Sequence, residues 1–335
     1  MIAVSSRRVA SVPPEQPPLL LIVIDTEEEF DWSAPFDRES RAVRNIFEQV
    51  HAQAVFDAHG AVPTYVIDYP VADDVEAAGL LGGWQADGRC LVGAHLHPWV
   101  NPPDDEEVST FNSYPGNLPP DLERAKLARL TERIAGTVGC RPTIYKAGRY
   151  GLGPNTAETL VALGYEIDLS VVPSTSFAAD GGPDFREYPH DPYWCGPGHR
   201  LFEVPLTRGF PGILGDAAPM VHGLVDKALG RRLRLPGILS RLGIVERIAL
   251  TPEGVTLDEN KRLVRYLLGR GRRVFTYAYH SSSLLPGGSP YVRSDADRDR
   301  FVADIEGFLA FFLGEVGGQV VTPPELRDMC RAVAP

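Results

Sequence analysis

The 335-residue sequence lacks features that mark several large classes of protein. Its cysteines are few, scattered and without a Cys-x-x-Cys pair, which argues against a disulfide framework and a cysteine zinc site. They are Cys90, Cys140, Cys195 and Cys330. No apolar run approaches the roughly 18 residues of a membrane span. Positive charge is also scarce, and a net charge of −11 disfavours non-specific binding of nucleic acid.

The N-terminal segment, residues 1–17, is rich in Ser and Pro and is predicted to be a disordered lead-in. It has two arginines but no apolar stretch of about 7–15 residues, so we expect no signal peptide and a cytoplasmic location. The remaining residues, 18–335, are predicted to form one domain, because 44% of the chain is hydrophobic, enough for a sizeable core.

Short apolar runs alternate with segments of helical periodicity along this domain. The run LLLIVI at 19–24 is typical of a strand buried on both faces. Further strands are predicted at 61–68, 90–97, 142–148, 165–172, 200–207 and 272–280, and helices at 38–59, 118–139, 154–164, 256–271 and 296–317. The alternation indicates an α/β fold with a largely parallel sheet, and about seven β/α units favour a distorted (β/α)7-type barrel.

A basic segment interrupts this pattern near residues 208–250. Residues 206–250 contain seven basic and three acidic residues, a local charge of +4 in an acidic chain. One interpretation is a solvated helical insertion. The other is a lid that contacts an anionic or lipid-linked substrate, or a membrane surface, in which case peripheral membrane contact is expected.

Polar side chains suited to catalysis follow five of the predicted strands. In α/β barrels the active site lies at the carboxyl ends of the strands, so these side chains are expected to meet. They are Asp25 and Glu27, His95 and His97, Arg149, Asp168, and His280.

The His95-Leu-His97 pair suggests a metal site. Residues two apart on a strand point to the same side, so both imidazoles can reach one ion. Two imidazoles and a carboxylate, with one position open for water, form the pattern of a hydrolytic zinc site. Asp25 and Glu27 also share a side, so one can ligate and the other can deprotonate the water. The alternative is that His97 belongs to a packed turn. Glu28, Glu29 and Asp31 are expected to be solvated or to order the loop.

The stretches DTEEEFDW, GAHLHPWVNPP, YKAGRYG, EIDLSVVP and YHSSSLLPGGSPYV resemble motifs of the polysaccharide deacetylase family, carbohydrate esterase family 4, with its NodB homology domain. They are most similar to a divergent WalW-like subgroup associated with lipopolysaccharide biosynthesis. The resemblance implies a distorted barrel that removes N- or O-acetyl groups from sugars with one divalent metal, often zinc. Three features depart from the family pattern: Thr26 separates the two acids, the histidines are two rather than four apart, and no proline follows the arginine.

The resemblance also implies a role for each residue. It assigns the metal, with Zn²⁺ expected, to Glu27, His95 and His97. Asp25 would be the base, and Arg149 would orient it and keep it ionised. His280 would protonate the leaving amine, oriented by Asp168.

The expected partner is an acetylated sugar or glycan, either free, nucleotide-linked or lipid-linked. Trp99, Tyr150 and Tyr291 would stack on sugar rings, or else pack in the core and loops. Two alternatives stay open: a metal-dependent hydrolase of a small non-peptide C–N bond, and an inactive barrel that binds glycans. A pure binder has no need of an acid, a base and an orienting arginine, which favours an enzyme.

Overall fold

The computed structural model describes residues 7–13, 15–31, 34–211 and 247–332, and its main feature is a sheet of ten strands. The strands of the described residues are β1 Arg8–Val9, β2 Leu19–Thr26, β3 Thr64–Ile67, β4 Leu91–Leu96, β5 Ile144–Ala147, β6 Ile167–Asp168, β7 Tyr193–Cys195, β8 Leu201–Glu203, β9 Arg208–Gly209, β10 Ile248–Ala249, β11 Val274–His280 and β12 Gln319–Val320. The α-helices are α1 Gln49–Ala58, α2 Tyr69–Asp73, α3 Val75–Ala86, α4 Pro120–Thr137, α5 Thr156–Leu163, α6 Leu257–Leu268, α7 Asp295–Ala310 and α8 Pro323–Ala332.

The strand order of the sheet is β1-β7-β8-β6-β5-β4-β3-β2-β11, with β12 added beside the start of β2. Its strands are parallel except at one edge, where β7 pairs antiparallel with β1 and β8. The short strands β9 and β10 form a separate antiparallel pair. The predicted α/β fold with a parallel sheet and crossover helices is therefore confirmed.

Strand β2 is buried along its whole length, and its unbroken apolar sequence follows from that position. Leu20, Ile22 and Ile24 join the larger of two hydrophobic clusters, whereas Leu19, Leu21 and Val23 join the other. Alternate residues of a strand face opposite sides, so apolar residues are needed at every position. Packing on both faces holds β2 in the centre of the fold, and its carboxyl end lies at the edge of the sheet that carries Asp25.

Helix α6 packs closely on the β9–β10 pair. A capping box between Thr256 and Glu259 begins the helix, and its apolar face includes the buried Leu263 and Leu267. A Cβ atom at Gly209 would lie 2.7 Å from Leu263 Cδ1, so a larger residue there would require the Leu263 side chain to shift. The packing of helix α6 on Gly209 sets the position of Arg208, the other residue of β9.

The structure changes several of the predicted elements. Within the predicted disordered lead-in, 1–17, the described residues Arg8–Val9 instead form strand β1, which pairs with β7. The guanidinium carbon of Arg7 lies 3.5 Å from the ring centroid of Tyr188, and residues 1–6 lie outside the described ranges. The strand predicted at 200–207 ends at Glu203, shortly before Pro205, which has no N–H to donate to a ladder. The predicted strand 165–172 shortens to two residues, and the predicted helix 38–59 begins only at Gln49.

The basic insertion predicted at 208–250 lies mostly outside the described residues, which omit 212–246. Its described ends are the paired strands β9 and β10. Among the helices of the described ranges, none has the length and apolar composition needed to cross a bilayer.

Candidate active site

The carboxyl ends of four parallel strands bring the candidate residues together. The register of β11 on β2 places His280 opposite Asp25, and the register of β4 on β5 places His95 opposite Lys146. Partners in a parallel ladder point to the same side of the sheet. Residues distant in sequence therefore meet at one edge of the sheet.

Glu27, His95 and His97 form a buried cluster with the composition of a metal site. Nε2 of His95 lies 3.6 Å from Oε2 of Glu27, and Nε2 of His97 lies 3.4 Å from the same oxygen. The two imidazoles thus point to one side, as the spacing predicts, and a packed turn alone does not describe this arrangement.

The hydrogen bonds of the two histidines leave the correct nitrogen for a metal. Nδ1 of His95 donates to the backbone carbonyl of Lys146 at 3.0 Å, and Nδ1 of His97 donates to Glu28 at 2.8 Å. A neutral imidazole that donates through Nδ1 has its lone pair on Nε2. Oε1 of Glu27 is also buried and has no hydrogen-bond partner within the described part of the chain. Two imidazole lone pairs and a carboxylate oxygen fit a divalent ion.

The electrostatics of the cluster lead to the same conclusion. Burial lowers the pKa of both His95 and His97, which keeps these imidazoles neutral, as ligands must be. Burial raises the pKa of Glu27 to about 8, against the lowering effects of His280 and His97. The protein alone therefore does not hold this carboxylate ionised at neutral pH, whereas a bound cation would.

Glu28 supports the cluster from behind. Its carboxylate accepts the Nδ1 proton of His97 and, at 2.8 Å, the Nε1 proton of Trp99, while its backbone N–H donates to Asp68 at 2.7 Å. Glu28 thus orders the site, one of the two roles expected for it, but it is fully buried rather than solvated. Glu29, in contrast, pairs with Arg44 near the surface.

Trp99 is the clearest departure among the predicted sugar-binding residues. Its side chain is 2% exposed, and its ring stacks on His97 with the two centroids 4.3 Å apart. A buried ring cannot stack on a sugar, so this expectation is wrong for Trp99. It holds the imidazole of His97 in place instead.

Asp25 forms a close, buried ion pair with Lys146. Burial alone would raise the pKa of Asp25, but Lys146, with His95 and His280, outweighs it and lowers the value to about 2. Asp25 is therefore ionised at neutral pH. The predicted partner was Arg149, and this contact is wrong: the cation that pairs with the carboxylate comes from strand β5.

Arg149 lies in the turn that follows β5 and its side chain points elsewhere. It donates to Ser113 Oγ at 2.6 Å, and its guanidinium carbon lies 4.2 Å from the ring centroid of Tyr114. The backbone of Arg149 is left-handed, with φ of 52°. This conformation turns the side chain towards the loop that contains Ser113 and Tyr114.

His280 is held by Glu253, a residue absent from the sequence prediction. Oε2 of Glu253 accepts from His280 Nδ1 at 2.9 Å, and Oε1 accepts from the His280 backbone N–H at 2.9 Å. Nε2 of His280 lies 3.6 Å from Asp25 Oδ2. Burial alone would lower the pKa of His280, but Glu253, Glu27 and Asp25 raise it to about 10. The imidazolium is therefore a proton donor beside the Asp25 carboxylate.

The predicted contact between Asp168 and His280 is also wrong. Asp168 is buried at the end of β6, where it accepts hydrogen bonds from the backbone and hydroxyl of Ser170. It faces Glu203 on the adjacent strand β8. Burial raises the pKa of Asp168 to about 6 and that of Glu203 well above its ordinary value, so burial favours the protonated form of both acids.

A cavity of about 270 Å³ opens onto Asp25 and His280. Tyr150 and Tyr291 line it, and the side chain of Tyr291 is half exposed. These two rings are therefore placed where a substrate could contact them. Their role in binding stays a prediction.

The sequence did not predict the contacts of three residues with the site, for different reasons. Lys146 is a lone charge within an apolar strand, opposite His95, and that signal was available in the sequence. Glu28 is one of several neighbouring acids, and only its burial distinguishes it. Glu253 follows a short strand in the loop TPEGV, and no local pattern connects it with His280.

Comparison with known proteins gives matches among solved structures. No family model and no curated protein matches this chain. Two proteins assigned provisionally as polysaccharide deacetylases, from Mycobacterium smegmatis and Pseudomonas aeruginosa PAO1, are 14% and 13% identical, with TM-scores of 0.56 and 0.54. The matches cover 97% and 95% of this chain and 94% and 92% of those proteins. Puue allantoinase matches with 14% identity and a TM-score of 0.56, over 96% of this chain and 93% of its own. These similarities confirm the predicted NodB-like α/β fold.

Proposed function

We propose that this protein is a metal-dependent deacetylase that hydrolyses an N-acetyl or O-acetyl group of a sugar. The observation that carries the proposal is the pair of Nε2 atoms of His95 and His97, both directed at Glu27 and both available as ligands. A proton acceptor, Asp25, and a proton donor, His280, lie beside each other at the adjacent cavity. An inactive glycan-binding barrel would have no need for this set of groups.

Glu27, His95 and His97 are the residues that would hold the divalent ion, and zinc suits this donor set. Such an ion supplies Lewis-acid chemistry: it polarises the acyl carbonyl and makes an adjacent water more acidic. A more acidic water is needed here, because the Asp25 carboxylate, with a pKa of about 2, is a weak base.

The side chains of the protein then perform the proton transfers. Asp25 accepts the proton of the attacking water as its oxygen bonds to the carbonyl carbon, and Lys146 holds the carboxylate in place. His280 donates its Nε2 proton to the leaving nitrogen as the C–N bond breaks, and Glu253 stabilises the imidazolium before that transfer. The products are acetate and a free amine, or an alcohol when the substrate is an O-acetyl ester.

The biological setting is proposed from the motif resemblance. The WalW-like motifs support a role in lipopolysaccharide or other surface-polysaccharide biosynthesis, with a free, nucleotide-linked or lipid-linked sugar as substrate. A cytoplasmic location is part of the same proposal. Its support is the resemblance together with the N-terminal composition.

A second candidate is a hydrolase of a small non-peptide C–N bond. The similarity to Puue allantoinase, at the same TM-score as the first deacetylase, favours keeping this candidate. The same base, acid and metal ligands would serve both reactions, because both attack an acyl carbon bonded to nitrogen. The candidates differ only in the substrate.

The test combines metal analysis with a substrate panel. We expect about one divalent ion per chain in protein purified without chelator, and loss of that ion in both His95→Ala and His97→Ala. His51→Ala, an exposed histidine, is the matched control and should retain the ion. Acetate release from acetylated sugars supports the deacetylase, whereas turnover of ureides or small amides alone supports the second candidate. A parent protein that takes up no divalent ion would contradict both.

A further inference from the structure

The cavity beside the candidate active site is lined by a cation that pairs with no acid among the residues the structure describes. Arg208, on β9, lines this cavity together with Asp25, Lys146, Glu253 and His280. Lys146 pairs with Asp25, and His280 pairs with Glu253, so these four charges balance in two pairs. Arg208 then adds a positive charge to the lining.

The side chain of Arg208 donates a hydrogen bond to a hydroxyl group. Its Nη1 donates to Oγ1 of Thr175, and among the described residues it forms no ion pair with a carboxylate. Nη2 of Arg247 donates to the same Thr175 hydroxyl at 2.9 Å, which brings a second guanidinium close to the first. The Thr175 hydroxyl is thus shared by two guanidinium groups and does not neutralise the charge of Arg208.

The environment of Arg208 makes this charge costly without a ligand. Burial and the neighbouring Arg247 lower the pKa of Arg208 to about 10. The side chain therefore stays charged at neutral pH, but its surroundings disfavour that charge. A guanidinium has five N–H donors in a planar fork that matches a carboxylate or a phosphate, and the Thr175 bond uses only one of them.

We propose that Arg208 recognises an anionic oxygen group on the substrate, a carboxylate or a phosphate, next to the acyl group that is removed. The inference rests on the proposed function, since it takes the cavity at Asp25 and His280 as the substrate site. It narrows the substrate class from acetylated sugars in general to acidic or phosphorylated ones. The other charges of the lining are already paired, which leaves Arg208 as the group that favours an anion.

The experiment measures binding of product-like sugars, which does not depend on turnover. Isothermal titration calorimetry on the protein as purified would compare glucosamine with glucosamine 1-phosphate, glucosamine 6-phosphate and muramic acid. The phosphates and the carboxylate of muramic acid distinguish the two kinds of anion. We expect at least one anionic sugar to bind about tenfold to a hundredfold more tightly than glucosamine. In Arg208→Gln the ratio of the affinity for that anionic sugar to the affinity for glucosamine should fall close to one.

Three further variants make the result specific. Arg208→Lys keeps the charge but not the fork, so its ratio should be intermediate. Thr175→Val keeps the arginine but removes its hydroxyl partner, and it tests the inference if Arg208→Gln does not fold. That variant should change the ratio severalfold. Arg186→Gln removes an exposed arginine paired with Asp184 and should leave the ratio unchanged.

The outcomes separate this inference from the proposed function. Equal affinity for neutral and anionic sugars, or a preference that Arg208→Gln and Thr175→Val both retain, would overturn the inference. Inorganic phosphate serves as a probe that is independent of the sugar. If its binding depends on Arg208 while no acetylated sugar is hydrolysed, the anion site stands and the proposed deacetylase activity fails.

Discussion

His95 and Lys146 lie opposite each other on neighbouring strands, and Lys146 serves both halves of the site. Its backbone carbonyl accepts the Nδ1 proton of His95, which leaves the ligand atom Nε2 available, while its ammonium pairs with Asp25. One residue of β5 thereby fixes a proposed metal ligand through its backbone and the proposed base through its side chain. A substitution at this position tests the side-chain role alone, since any residue retains the carbonyl.

Replacing Lys146 with methionine should reduce activity far more than the same change at Arg149. Lys146→Met leaves Asp25 buried without its cation, so the pKa of Asp25 rises and its orientation is lost. We expect a loss of about tenfold to a hundredfold in kcat/KM, with the acidic limb of the pH–rate profile moved to higher pH. Arg149→Met removes contacts with the loop residues around Ser113 and Tyr114, none of them with Asp25, and should cost much less.

Stability measurements on the same pair of variants provide the control. Removing one partner of a buried ion pair typically costs about 3–5 kcal/mol, so Lys146→Met should unfold at lower denaturant concentration than Arg149→Met. In the parent, the lowered pKa of Asp25 stabilises the fold above about pH 4, and this contribution is lost as the pH falls towards 2. A larger activity loss in Arg149→Met would restore the original assignment of the arginine.

Replacing Glu253 with glutamine should weaken His280 as an acid. Glu253 is the foremost of the groups that raise the pKa of His280, to about 10, so its neutralisation lowers that pKa. The basic limb of the pH profile of kcat/KM should then move to lower pH. NMR titration of the His280 ring gives the same pKa without turnover. Ser283→Ala, which removes another hydrogen bond to Glu253, is the matched control and should shift it less. An unmoved ring pKa in Glu253→Gln would contradict the pairing.

Glu28 should matter for metal affinity although it is not a predicted ligand. Its carboxylate fixes the Nδ1–H tautomer and the orientation of His97. Loss of such a partner commonly weakens metal binding by about tenfold to a hundredfold, and we expect this for Glu28→Gln in competition with a chelator. Glu29→Gln, in the same loop but paired with Arg44, should bind the ion like the parent. Similar affinities for both variants would refute the role of Glu28.

The buried pair Asp168 and Glu203 should make stability decrease as the pH rises. Both groups have a raised pKa in the folded state, whereas in the unfolded chain they ionise near pH 4. Their contribution is therefore complete below about pH 4 and is lost as the pH rises through 6 and beyond. The side chain introduced by Glu203→Gln does not ionise. The melting temperature of this variant minus that of the parent should therefore increase as the pH rises from 5 to 8.

A surface acid provides the comparison for that measurement. Glu187 is exposed, and Glu187→Gln should give a melting-temperature difference from the parent that is nearly constant over the same pH range. A constant difference in Glu203→Gln as well would show that the pair does not retain an extra proton in the folded state.

Much of the fold follows from local sequence patterns. The apolar run of β2 and the strand β11 were predicted within two residues, because burial on both faces requires continuous apolar sequence. The edge strand Arg8–Val9 was not predicted, since two exposed residues carry no hydrophobic pattern. Its stability comes from pairing with β7, a contact that is distant in sequence.

The candidate site likewise contains residues that the sequence predicts and contacts that it does not. His95, His97 and Glu27 were found because strand periodicity is local and sets which side chains share a face. The partners of Asp25 and His280 were not, because strand register and side-chain direction choose among several nearby charges. Arg149 and Lys146 are three residues apart, and the left-handed backbone at Arg149 decides which of them faces Asp25.

The pairing of β2 with β11 makes the site depend on the order of synthesis. The backbone N–H of Glu27 donates to Ser281 Oγ at 3.1 Å, across 254 residues of chain. The metal cluster and the base come from the first half of the chain, and His280 and Glu253 come from its last third. A chain still emerging from the ribosome has no proton donor until β11 is added beside β2, and Glu27 gains its bond to Ser281 only in the same step. The proposed hydrolysis therefore requires strands from both ends of the chain to be in place.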